Sequence, residues 1–190
     1  MRERAGPQAA DARLIRRALI AGVVAAILAG AAPVGAADPG GWDRARWGMT
    51  AAELGAAFGS DLRASEPPMV FGPFIARQVV PRVSVAGRPF LAFLQLDASN
   101  ERLAQVLLRY RGRNPTHSDF AALAAALTAA LGPPSGGDSA RDYSGSFPSF
   151  AVSREWRLPT TTVTLVYQDP NAEPYSAVRK DLTIRYAPAR

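Results

Sequence analysis

Apolar residues recur along this chain at two periods, and the switches between them mark its elements. Leu54 and Phe58, four apart, give one apolar face to a short segment opened by Thr50. Thr50 and Glu53 have the S/T-x-x-E spacing of a capping box, Met49 and Leu54 hold the hydrophobic-staple positions, and Gly59 stands where a helix ends. A short helix is therefore predicted between Thr50 and Gly59. A second helix follows from Phe120, Leu123, Leu127 and Leu131, spaced by three and four in an Ala-rich run. Thr116 or Ser118 can cap it, and Gly132-Pro133-Pro134 stops it.

Between and after the helices the period falls to two. Phe74–Val85 is β-prone, Ala86–Pro89 reads as a turn, and Phe90–Leu96 is apolar on both faces, as a central strand is. After a turn at Asp97–Asn100, a strand over Leu103–Arg111 places Ala104, Val106, Leu108 and Tyr110 on one face. This order predicts an antiparallel meander. Three more strands are predicted at Phe150–Leu158, Thr161–Tyr167 and Leu182–Tyr186. Asp38–Arg46 reads as a polar lead-in. Ser60–Pro73, with Pro67 and Pro68, reads as turns, Ser135–Pro148 as a Gly/Ser loop and Gln168–Ala177 as a polar loop. The predicted fold is α+β. Tandem α-β-β-β units, about 47–113 and 114–190, put two helices on an antiparallel sheet of about six strands.

The stretch Gly48-Met49-Thr50-x-x-Glu53-Leu54, closing at Phe58-Gly59, resembles the opening of the SmpA/OmlA family of outer-membrane proteins. Two such units in tandem resemble the β-lactamase-inhibitor-protein fold. The Trp47-Gly48-Met49-Thr50 start is similar to small exported proteobacterial proteins. The resemblance implies a fold and an envelope location, not an activity, because each matched residue caps or turns the chain. The chain departs from SmpA/OmlA in having no Cys to carry a lipid.

Composition narrows the picture further. Residues 1–37 run basic, then apolar, then small: Arg2, Arg4, Arg13, Arg16 and Arg17 precede an uncharged stretch from Ala18 to Ala37. This is the pattern of a signal peptide cleaved near Ala36 or Ala37, and Arg16-Arg17 leaves both the general secretory and the twin-arginine route open. A periplasmic or secreted domain at 38–190 is expected, without a stable membrane span after cleavage. The rival reading is an uncleaved anchor. Those 37 residues hold five Arg and two acids, so the formal net charge falls from +6 to +3 without them. Together with export, that argues against nucleic acid as a partner. Without Cys and with a single His, no Cys/His zinc site can be assembled, and no cofactor is expected.

Candidate chemistry is sparse. Arg109, Arg111 and Arg113 recur every second residue. If the strand runs on, they share one face at roughly 7 Å intervals and match an anionic surface. The plainer reading is a solvated face whose Arg stems cover Leu103 and Leu107. Tyr143 and Phe147, beside Phe150, are candidate recognition aromatics in the Gly/Ser loop or else cover for a sheet edge. Asp169 and Glu173 are the carboxylates a cofactor-free hydrolase would use, and their Pro-rich setting reads equally as a turn. His117 falls at a helix start, with Ser118 and Asp119 too close in sequence to form a triad. The leading expectation is a non-enzymatic binding module for a protein or anionic envelope component. A carboxylate hydrolase and an inhibitor-like protein are the alternatives.

Overall fold

The structure, a computed structural model, describes residues 38–142, 149–170 and 179–190. The expected export segment, Tyr143, Phe147 and Glu173 lie outside these. The fold is α+β: an antiparallel sheet with two helices.

The lead-in at Asp38–Arg46 is not merely polar. Gly41–Trp42 (β1) and Ala45–Arg46 (β2) form a small hairpin that buries Trp42 and Ala45. A Cβ on Gly41 would sit 2.0 Å from the Ala45 carbonyl oxygen, so only glycine fits there. Two-residue strands carry no readable period, and a lone Trp does not announce one.

The first helix, α1, spans Ala51–Phe58 with Thr50 as its cap. The Glu53 N–H donates to Thr50 Oγ1 at 3.3 Å, and the Thr50 N–H donates to Glu53 Oε2 at 2.7 Å, as the capping-box spacing predicts. The second helix, α2, spans His117–Leu131 and repeats the device with Thr116 and Asp119. Its Phe120, Leu123 and Leu127 are buried, and Leu131 is half-buried.

Among the described residues the large sheet has eight strands, not about six. They are Arg63–Phe71 (β3), Phe74–Val85 (β4), Arg88–Asp97 (β5), Leu103–Tyr110 (β6), Ser139–Asp142 (β7), Ser149–Arg157 (β8), Thr161–Asp169 (β9) and Asp181–Pro188 (β10). Their spatial order is β3-β4-β5-β6-β10-β9-β8-β7, every neighbour antiparallel. The two additional strands, β3 and β7, lie at the two edges. Pro67 and Pro68 gave β3 the look of a turn, yet an edge strand tolerates proline because one row of its N–H groups has no ladder to join. The β3–β4 register shifts between Ala64 and Met69, around those prolines. β7 is only four residues long and sits in Gly/Ser-rich sequence.

The core lies between the helices and one sheet face. Leu54, Phe58, Phe120, Leu123 and Leu127 meet Phe90, Leu94, Val106, Leu108, Val163, Leu165 and Ile184. Trp156 is buried there too, its indole N–H donating to the Gly132 carbonyl at 3.0 Å. On the opposite face Phe93 is also buried, with Phe71 against it at 5.3 Å between ring centroids. This two-sided burial of β5 is what apolar residues on both of its faces predict, and Gln95 within the same run is buried too. Trp47 packs on the core and its indole N–H donates to Thr161 Oγ1 at 3.1 Å. Among the described residues no helix is long and apolar enough to cross a membrane.

Candidate functional site

β4 is twelve residues long, but β3 pairs with it only as far as Val79. The outer edge of Val80–Val85 therefore borders a cavity of about 800 Å³. The cavity is walled by the tip of the β1–β2 hairpin, by the turn after α1 and by Arg111 beyond β6.

Each wall is fixed by local chemistry. Trp42 stacks on Phe58, and the Arg44 guanidinium lies over the same Phe58 ring, 4.5 Å from its centroid. Arg44 also reaches Asp61 at 2.6 Å and Asp43 at 3.7 Å, so one guanidinium ties the hairpin to the turn after α1. The Asp61 hydrogen bond, then the neighbouring carboxylate charges, push the Arg44 pKa further up. Arg63 folds back on that turn, donating to the carbonyls of Ser60 and Leu62. Arg111 Nη1 donates to the Pro81 carbonyl at 3.0 Å. Arg82 is exposed on β4. Four arginines thus face two aspartates, and Arg44 already holds both of them. Among the described residues Arg63, Arg82 and Arg111 have no carboxylate partner.

The predicted arginine strip is divided by the end of its strand. β6 stops at Tyr110, so Arg109, Arg111 and Arg113 do not continue along one strand face. Arg109 sits on β6 and pairs with Asp181 at 3.3 Å. Arg111 enters the groove wall, and Arg113 is exposed in the segment leading to α2. Leu103, which the Arg stems were expected to shield, is buried in the core instead.

His117 is exposed at the first position of α2, as its place in the sequence implied. Its ring lies 5.9 Å from Phe120, 5.9 Å from Phe150 and 6.4 Å from Tyr167. Asp169 Oδ2 takes the Tyr167 hydroxyl at 3.2 Å and pairs with Lys180 Nζ at 2.7 Å. That hydrogen bond to Asp169 is the leading cause of a raised Lys180 pKa. Asp169 is thus engaged with a phenol and an ammonium group. Among the described residues no group of three or more His, Asp and Glu side chains is placed to hold a metal ion.

Sequence reading found Arg111 but missed Arg44, Arg63 and Arg82. They are spread over three separate segments, so no spacing connects them. A weak signal was present: Pro81 in an otherwise β-prone run marks an edge, and Arg82 follows it directly. No protein-family model, no curated protein and no solved structure matches this chain.

Proposed function

We propose that this protein is an exported, non-enzymatic binding module that uses the groove beside β4 to hold an anionic protein or envelope component. The observation that carries the reading is the ring of Arg44, Arg63, Arg82 and Arg111 around a cavity of about 800 Å³, three of them without a carboxylate partner among the described residues. An open groove edged with guanidinium groups attracts anions and steers their approach. Guanidinium also forms paired hydrogen bonds to carboxylate or phosphate, which gives it selectivity as well as attraction.

Export rests on the basic–apolar–small order of residues 1–37. A tandem construction, like that of the β-lactamase-inhibitor-protein fold, is supported by the element order. A Thr-capped helix is followed by four strands, and then another Thr-capped helix by four more. The last strands of the two sets, β6 and β10, pair at the middle of the sheet.

Titration with poly-L-glutamate and with anionic phosphatidylglycerol vesicles, at low and high salt, tests the groove. Changing Arg63, Arg82 and Arg111 together to Gln should weaken binding to at least one of these probes. The loss should be greatest at low salt, because exposed charges are screened over about 10 Å at 0.1 M. Changing Arg109 and Arg113 to Gln should matter less, since neither lines the groove. Equal binding by the parent and the groove variant would remove the groove from the proposal. Turnover of an envelope substrate that is lost on changing Asp169 would overturn the non-enzymatic reading.

A further inference from the structure

The two halves of the sheet treat their outer edges differently. β7 pairs with β8 only over Ser149–Val152. Past that point the backbone of residues 135–138 takes over. The Ser153 N–H donates to the Asp138 carbonyl at 2.8 Å, and the Glu155 N–H to the Gly136 carbonyl at 2.9 Å. The Ser135 N–H donates to the Glu155 carbonyl at 2.7 Å, and the Arg157 N–H to Ser135 Oγ at 3.0 Å. The outer edge of β8 is closed along its length. The outer edge of β4 has no such cover. Among the described residues no backbone group from outside the β4–β5 hairpin bonds to Val80–Val85, and the Arg111 side chain on Pro81 is the one hydrogen bond that reaches it.

The direction of the uncovered groups follows from the turn. Ala86 and Gly87, both at positive φ, join Val85 to Arg88 as a two-residue hairpin loop. In such a hairpin the pair flanking the loop exchanges both hydrogen bonds, and the next pair exchanges none. That next pair is Ser84 and Pro89, and Pro89 has no N–H to offer. The N–H and C=O of Ser84 therefore point away from β5, into the groove.

We infer that this edge accepts a guest strand: an extended acidic peptide segment that adds to β4 through the backbone of Ser84 and sets its carboxylates against Arg63, Arg82 and Arg111. The inference rests on the basic-groove reading and names its occupant. Main-chain hydrogen bonds supply affinity in strand addition, and side-chain pockets supply choice. Charge selects the occupant here. A second copy of this edge would bring the same arginines face to face. Residues 1–37 carry five Arg against Glu3 and Asp11, so they repel the groove as well. Pro81 limits the guest ladder, because proline cannot donate to it. The shared register is thus short, centred on Arg82–Val85. A short, arginine-flanked edge also resists open-ended strand stacking.

The probe is an acetylated, amidated decapeptide of alternating Glu and Thr, titrated calorimetrically into the protein at low salt. Three comparisons accompany it: the same peptide N-methylated at alternate peptide nitrogens, a Lys-for-Glu peptide, and the Ser84→Pro variant. Amide exchange at Ser84 is followed by NMR, and circular dichroism checks the variant's fold. Strand addition predicts saturable binding, slowed exchange at Ser84, and at least about tenfold weaker binding in each comparison. Equal affinity for the N-methylated peptide would overturn strand addition while leaving the basic groove standing. Equal affinity for the Lys peptide would overturn the groove reading too. If Ser84→Pro fails to fold, the N-methylated peptide and the Ser84 exchange decide. Absence of peptide binding at millimolar concentration would reject the proposal. So would self-association that protects the Ser84 amide, since the edge would then be an interface between copies.

Discussion

Trp42 and Phe58 stack nearly parallel, their ring centroids 6.0 Å apart and their planes 10° from each other. The contact joins a hairpin that precedes α1 to the last residue of α1 and forms the floor under Arg44. Trp42→Ala is expected to cost about 3–5 kcal/mol, the range for truncating a buried aromatic. Urea melts measure it. A cost below about 1 kcal/mol would mean that the hairpin is not anchored by this ring.

The helices give two graded expectations. Leu127→Ala removes a buried stripe residue of α2 and should cost roughly 2–5 kcal/mol. Thr50→Ala and Thr116→Ala each remove one capping hydroxyl and should cost about 1 kcal/mol. Equal costs for the core and cap variants in denaturant melts would contradict this ordering.

Acid stability depends on Asp119. The hydrogen bond from the Thr116 hydroxyl, then the Arg88 guanidinium at 2.8 Å, hold its carboxyl below the ordinary value of 3.8 although partial burial opposes them. A lowered folded-state pKa adds stability that is complete above the unfolded value and is lost as pH falls through the folded one. The stability gap between the parent and Asp119→Asn should therefore close as pH drops below about 4. A gap that stays constant from pH 7 to pH 2 would show that the charge contributes nothing.

Alkaline stability depends on Tyr186, whose phenol is pushed up to about 12 by burial. The sign is the reverse of the acid case. Stability is complete below the unfolded tyrosine value of about 10 and falls as pH rises from there to the folded value. Tyr186→Phe should flatten that fall in melts between pH 9 and pH 12. Part of the slope should remain, because burial first, and then the Asp169 charge, raise Tyr167 as well.

The sequence revealed whatever has a period or a local signature. Both capping boxes depend on residues three apart, and the stripe of α2 and the two-sided apolar run of β5 depend on burial, so each could be read directly, whereas on β6 a register shift beside Gln95 buries Leu103 and leaves Ala104 half-buried. The edge strands could not. β3 buries almost nothing and carries two prolines, and β7 is too short to show alternation. The groove was harder still. Arg44, Arg63, Arg82 and Arg111 come from a hairpin, the first residue of an edge strand, the strand beside it and a segment past a strand end. Only the tertiary fold brings them together. The Arg109–Arg113 strip misled because even spacing predicts a shared face only while the strand lasts, and it ends at Tyr110.

The seam between β6 and β10 sets the order in which the sheet of this molecule can be completed as the chain folds. β6 gains its second neighbour only when Asp181–Pro188, the last described strand in chain order, has docked. Until β10 docks, Val106–Arg109 stays uncovered along one side. Closing that seam joins residues more than seventy positions apart, a slow kind of contact to form. The exposed strand is a target for mispairing until β10 docks. A stop or frameshift before β10 would thus damage both halves of the sheet, not just the half in which it falls.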